Sequence, residues 1–303
     1  MRNLLCGFMV LILCIFISAC SGKPGGASSS ADTPSLPPPS ETAPVSSAAQ
    51  EPSDAQEEPS LPASSQPPLT RTITIPEGYT LPRIGMLLED EGFCTAEEFI
   101  QASQTGGVDD LPLAAAMFGV ENSCFKLEGI LFPDTYEVYT GETPDAIVRM
   151  MITNTNQRLG EKLKAELTAS PYSISEIFTL ASIIEKEALG PEEMANISSV
   201  LHNRLNNGMK LQCDVTINYV EGAIKPFITG DKNRFNSLYN TYKCKALPAG
   251  PICNPGLDAI KAALYPADTD YLYFLTDKNK NFLYAVTYEE HLQNVKTAGI
   301  TIP

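Results

Sequence analysis

The apolar residues Ile177, Leu180, Ala181, Ile184 and Ala188 recur at i, i+3, i+4, i+7 spacing. That period predicts a helix over residues 173–188 with one buried face. Ser173 or Ser175 caps its start. Glu185 follows directly on Ile183 and Ile184 and lies one turn from Ala181, so it falls at the margin of the apolar stripe, while Lys186 can turn to solvent. A carboxyl at such a margin is partly desolvated, which raises its pKa towards the range where it can donate a proton near neutrality. An arbitrary Glu-Lys-Glu triplet is otherwise a solvated charge pair, so the rest of the chain decides between the two.

Similar patterns predict the remaining elements. Thr72 to Ile75 alternates as a strand, Pro76-Glu77-Gly78-Tyr79 is a turn, and Thr80 caps a helix carrying Leu81, Ile84, Leu87 and Leu88 that ends at Gly92. Thr95-Ala96-Glu97-Glu98 has a capping-box pattern and opens a second helix through Phe99 and Ile100. Strand, helix, helix is the order of LysM-type sugar-binding modules and also of many plain structural α+β units. Residues 111–126 predict a short helical stretch. Gly129 and Pro133 bracket an apolar run suited to a strand, or to a loop passing under a site. Pro144 to Leu167 predicts one long helix, and Pro191 sits in the first turn of another that stops at Asn207-Gly208. A helix over 256–264, strands over 271–275 and 282–286 joined by a hairpin turn, and a closing helix over 288–297 complete the reading. The fold class is α+β.

The first 70 residues differ in kind. Leu4 to Ala19 is an apolar run, short of the about 20 residues a membrane span needs and closer to a signal-peptide core. It ends Ile17-Ser18-Ala19-Cys20, which resembles a bacterial lipobox and makes Cys20 the expected lipid attachment site. An uncleaved anchor helix is the alternative. Either places the remainder outside the cytoplasmic membrane, tethered to it. Residues 21–70 are rich in Ser, Pro, Ala and Glu with almost no large apolar side chains, so they predict a disordered tether. The expected organisation is a signal peptide and lipobox (1–20), a linker (21–70) and a folded α+β part.

The net charge of −15 carries no basic footprint for nucleic acid, and part of it sits in the linker. Cys94, Cys124, Cys213, Cys244 and Cys253 lie in the folded part; Cys244 and Cys253 flank a Pro/Gly-rich loop across which they can pair. Metal-ligand spacing is missing and only His202 and His291 are present, so no metal or cofactor is expected. His202, on a polar helix face, reads as a structural hydrogen-bonder.

From Met209 to Gly256 amide, hydroxyl and phenol side chains stand among prolines and glycines, a composition suited to oligosaccharide recognition and equally to ordinary surface loops. Several stretches then fall in register. They are Glu128-Gly129-Ile130-Leu131-Phe132-Pro133-Asp134-Thr135-Tyr136, Leu180 to Glu187, Asn203-Arg204-Leu205, Met209 to Asp214, Tyr239-Asn240-Thr241-Tyr242, Leu247 to Gly256, and Asp270 to Phe274. Together they resemble the endolytic murein transglycosylase family (MltG, YceG-like) over roughly residues 71–302. The chain departs from that pattern at Val215, where the family usually has Pro, at Ile130, where Trp is common, and at Phe282, where a His is usual.

The resemblance implies that the folded part divides into a LysM-like N-terminal subdomain (71–140) and an α+β catalytic domain (141–303). It also implies cleavage of the bond between N-acetylmuramic acid and N-acetylglucosamine by one essential glutamate, which falls on Glu185. Glu187 takes a supporting place. Gln212, Asp214, Tyr239, Asn240 and Asn254 are the expected glycan-groove residues. Peptidoglycan strands are the implied substrate and cell-wall synthases the implied partners. A hydrolytic glycosidase, with Glu187, Glu128 or Asp214 as second carboxylate, and a non-catalytic wall-binding lipoprotein are the alternative readings.

Overall fold

The computed structural model describes residues 69–300 apart from Gly106 and Asp109. The apolar run, Cys20 and nearly all of the linker lie outside the described residues. Among those described, no helix is long and apolar enough to cross a membrane.

The architecture mixes helices with two small antiparallel sheets. Strand β1 (Thr70–Thr74) pairs with β2 (Thr135–Tyr139), Ile73 standing opposite Tyr136. Between them run α1 (Leu81–Asp90), α2 (Ala96–Ala102) and α3 (Pro112–Phe118). The apolar run 130–132 is loop, and the strand starts just after it, at Thr135. Thr80 Oγ1 accepts from Arg83 N to cap α1, and Thr95 and Glu98 close a reciprocal capping box on α2.

Helix α4 (Pro144–Ala169) follows, then α5 (Ile174–Glu187) and α6 (Pro191–Asn206). The long α4 pattern conceals a break at Gly160, whose φ of 63° and ψ of 168° are outside helical space and open to glycine. Ser173, not Ser175, caps α5, with Glu176 closing a capping box. The segment expected to be loops contains two short helices, α7 (Asp214–Tyr219) and α8 (Arg234–Tyr239), with a π-type turn over 220–224. Helix α9 (Leu257–Leu264), the β3 (Tyr273–Thr276) and β4 (Phe282–Ala285) hairpin and α10 (Tyr288–Ala298) complete the chain.

Helix α5 is the axis of the core. Ile177 through Ile184 are all buried, so the predicted single face is in fact a helix enclosed on every side along its middle. It packs against α9, α6, α7, α3 and α4. Its polar residues are satisfied locally: Thr179 Oγ1 donates to Ser175 O at 2.7 Å, and Ser182 Oγ donates to Thr179 O while accepting from Ile252 N. One continuous apolar cluster runs from Ile73 to Ala263, and a smaller one (Leu275, Val295, Ala298) lies between the hairpin and α10. Cys244 and Cys253 do not pair. The Cys253 thiol lies against Ser182 O, and the Cys244 thiol against the carbonyls of Ser237 and Leu238.

Candidate active site

The last turn of α5 carries Glu185 out of the core. Its carboxyl is half-buried, and Oε2 accepts from Gly256 N at 3.1 Å. Gly256 is the residue before α9, so the carboxyl sits at that helix's positive end. Burial raises its pKa; the Gly256 N–H and the Lys186 charge pull the other way, while Glu77 and Asp258 add to the rise. The desolvation read from Ile183 and Ile184 is therefore present. Lys186 is exposed, with Nζ 3.4 Å from Gly78 O.

The β1–α1 turn forms the opposite wall. Gly78 N donates to Asn254 O at 2.9 Å and Asn254 N to Tyr79 O at 2.8 Å, which stitches the turn to the 252–256 loop. Glu77, on this turn, lies over Gly256: a Cβ on that glycine would stand 2.0 Å from Glu77 Oε1. Pro76-Glu77-Gly78 reads in sequence only as a turn, and nothing local signals that its carboxylate reaches the site.

A second cluster forms around Glu187. Burial and the nearby Asp214 charge lift its pKa to about 7, against a hydrogen bond with Cys213. Asp214, in the first turn of α7, accepts from the Tyr242 hydroxyl at 2.7 Å. Gln212 holds a left-handed φ of 57°, unusual for a side-chain-bearing residue. It is fixed there by its N–H to Thr241 O and by Arg204 Nη2, which donates to its Oε1. Asn240 Oδ1 accepts from Tyr242 N. Gln212, Asp214 and Asn240 thus gather on the Glu187 side of the α5 terminus and keep partial exposure.

Two expected groove residues are elsewhere. Tyr239 is 1% exposed, packs against Tyr219 and Phe235, and accepts from Cys124 N through its hydroxyl. Asn254 is fully buried: Oδ1 accepts from Gly129 N and Leu131 N, and Nδ2 donates to Tyr79 O and Glu128 Oε1. Both brace the walls from inside, because every side-chain polar atom they carry is bonded within the protein. Glu128 is buried too, clasped by Leu81 N, the Tyr219 hydroxyl and Asn254. His202 is structural as expected, bonded to Ala263 O.

The YceG-like family model matches residues 53–297. The chain belongs to the YceG-like family. This YceG-like chain is 34% identical over 226 residues to the endolytic murein transglycosylase of Bacillus subtilis, spanning 72% of this chain and 62% of that one. It is 32% identical over 248 residues to the endolytic murein transglycosylase of Streptococcus pneumoniae, spanning 76% of this chain and 45% of the other. It therefore covers less than two thirds of the length of either relative. A crystal structure of a yceG-like protein from Listeria monocytogenes is 34% identical, with a TM-score of 0.62 over 74% of this chain and 75% of that one.

Proposed function

We propose that this YceG-like chain is a lytic transglycosylase that cuts peptidoglycan strands between N-acetylmuramic acid and N-acetylglucosamine, with Glu185 as its single acid and base. The observation that carries this reading is the Glu185 carboxyl, half-buried at the mouth of the core helix and held by one backbone N–H. Protonated, it donates to the glycosidic oxygen as the bond breaks. The resulting carboxylate accepts a hydrogen bond from Gly256 N at the α9 terminus, which stabilises the charged form. It then takes the proton of the muramic acid 6-hydroxyl, which attacks C1 and closes a 1,6-anhydro ring. No water enters the product. Gln212, Asp214 and Asn240 supply polar contacts to neighbouring sugars.

The relatives' names, the family match and the α+β fold support this reading. In the same proposal residues 71–140 act as a LysM-like part, the apolar N-terminus and Cys20 supply the anchor on the outer side of the membrane, and cell-wall synthases are the partners whose strands are trimmed.

The test is product mass. Purified chain incubated with glycan strands gives anhydro-ended fragments, and Glu185→Gln abolishes them. Fragments heavier by one water mean hydrolysis. Binding without cleavage means a wall-binding lipoprotein. Cleavage that persists in Glu185→Gln removes Glu185 from its role.

A further inference from the structure

We propose that Glu77, delivered by the β1–α1 turn, is a positioning residue that holds Glu185 in its proton-donating form and helps it recover the proton afterwards. The inference rests on the reading of Glu185 as the acid and base.

Two carboxyl groups meet at one glycine. Glu185 Oε2 lies 3.1 Å from Gly256 N. On the same residue a Cβ would come within 2.0 Å of Glu77 Oε1, 2.4 Å of its Cδ and 3.1 Å of its Cγ. The space a side chain would fill at position 256 is thus taken by the Glu77 carboxylate. Gly256 has φ of −74° and ψ of 171°, which any residue adopts, so the glycine serves this close approach and not the backbone. The next residue of the turn also borders Glu185: a Cβ on Gly78 would stand 3.7 Å from Glu185 Cγ, in ordinary contact.

The turn does not drift into this place. Ile75 N donates to Asp134 O, Gly78 N to Asn254 O, and Asn254 N to Tyr79 O. These bonds fix the backbone on both sides of Glu77 and aim its side chain at Gly256.

The charges facing Glu185 come from each element packed against it. Lys186 on α5 favours its ionised form; Glu77 on the turn and Asp258 on α9 oppose it, Glu77 more strongly. Asp258 is also engaged by Lys261 at 3.4 Å. The Cys253 thiol, on the adjoining loop, is buried and kept neutral by that burial. A second anion at Gly256 makes ionisation of Glu185 less favourable. Before cleavage that keeps the proton on Glu185. After donation the same repulsion favours proton uptake from the 6-hydroxyl, so one fixed carboxylate assists both halves of the cycle.

The experiment compares parent, Glu77→Gln, Glu77→Asp and Glu185→Gln full-length chains in two readouts. One is kcat/KM on glycan strands against pH, whose alkaline limb reports the acid of the free enzyme. The other is the titration of glutamate side-chain carboxyls by 13C NMR, with the Glu185 signal assigned by its loss in Glu185→Gln. In Glu77→Gln the alkaline limb and the Glu185 midpoint both move down by about half a pH unit or more, while products keep anhydro ends. Glu77→Asp, one methylene shorter, falls between the two. A Glu185 midpoint unchanged in Glu77→Gln overturns the proposal, whatever happens to rate, because a merely structural Glu77 would lower activity without moving it. The midpoint is read without turnover, so a weakly active variant still decides the matter. Cleavage that survives Glu185→Gln fails the parent reading instead.

Discussion

Asn254 Nδ2 donates to Glu128 Oε1 at 2.8 Å, and neither side chain reaches solvent. Through Asn254 this pair joins the 128–131 loop to the β1–α1 turn and the 252–256 loop, the two segments that flank Glu185. Asn254→Ala strands the Gly129 and Leu131 N–H groups and removes a donor from Glu128. Each buried unsatisfied group costs about 1–3 kcal/mol, so a loss of roughly 3 kcal/mol or more is expected in urea unfolding. A loss below about 1 kcal/mol would mean that the bracket is not formed.

Glu128 also gives stability a pH dependence. Burial lifts its carboxyl from 4.5 to about 8, against the donors Leu81, Tyr219 and Asn254. A group whose pKa is raised by folding contributes fully below its unfolded value, and its contribution falls as the pH climbs through its folded value. The parent chain should lose stability between about pH 4.5 and 8, with at most about 1.4 kcal/mol per pH unit from this one proton. Glu187, raised to about 7, adds to the slope below that value and, with falling weight, above it. Urea midpoints followed from pH 7 to 8 weight Glu128 most heavily, and Glu128→Gln should make that interval shallower. An equal slope in both chains rules out the assignment.

How much of this was legible in the sequence depends on how far each signal acts. The caps at Thr95 and Ser173 are local, bonding three residues away; the first is visible as a capping-box motif, and the second is narrowed in sequence to Ser173 or Ser175. The margin position of Glu185 followed from helical period alone. Tyr239 and Asn254 were not separable from Asn240 and Gln212, because a polar residue in a Pro/Gly-rich loop looks the same whether it faces a groove or braces it from behind. The difference lies in bonds to Cys124 and Gly129, far away in the chain. Glu77 was hidden for the same reason: its place over Gly256 comes from the packing of the turn on the 252–256 loop. The break in α4 was hidden because one glycine in a periodic stretch is usually tolerated.

Gly256→Ala tests the crowding between the two glutamates. Its backbone angles suit alanine, so the added methyl collides only with the end of a flexible side chain, Glu77. The fold should stand, with the urea midpoint moved by less than about 1 kcal/mol. Glu77 must swing away and the Glu185 contact at Gly256 N loosens. A fall in kcat/KM of about tenfold or more is expected, equivalent to about 1.4 kcal/mol of transition-state stabilisation. Unchanged kinetics would show that the carboxyl geometry at this glycine does not matter to turnover.

Arg204 ties the second cluster to the hairpin. The residue is 5% exposed, and each guanidinium nitrogen is engaged: Nε donates to Lys210 O at 2.8 Å, Nη1 to Leu272 O at 2.9 Å, and Nη2 to Gln212 Oε1, with the Tyr273 ring 5.4 Å away. A lysine keeps the charge but has one compact ammonium, which cannot serve three acceptors set in different directions. Arg204→Lys should therefore fail to substitute, costing about 2–4 kcal/mol in urea unfolding. Gln212, no longer gripped, is free to leave its left-handed conformation. If Gln212 contacts glycan and Glu185 alone moves the proton, the kinetic loss falls on KM, with kcat within about threefold of the parent. A loss confined to kcat would instead place the Arg204–Gln212 pair in the chemical step.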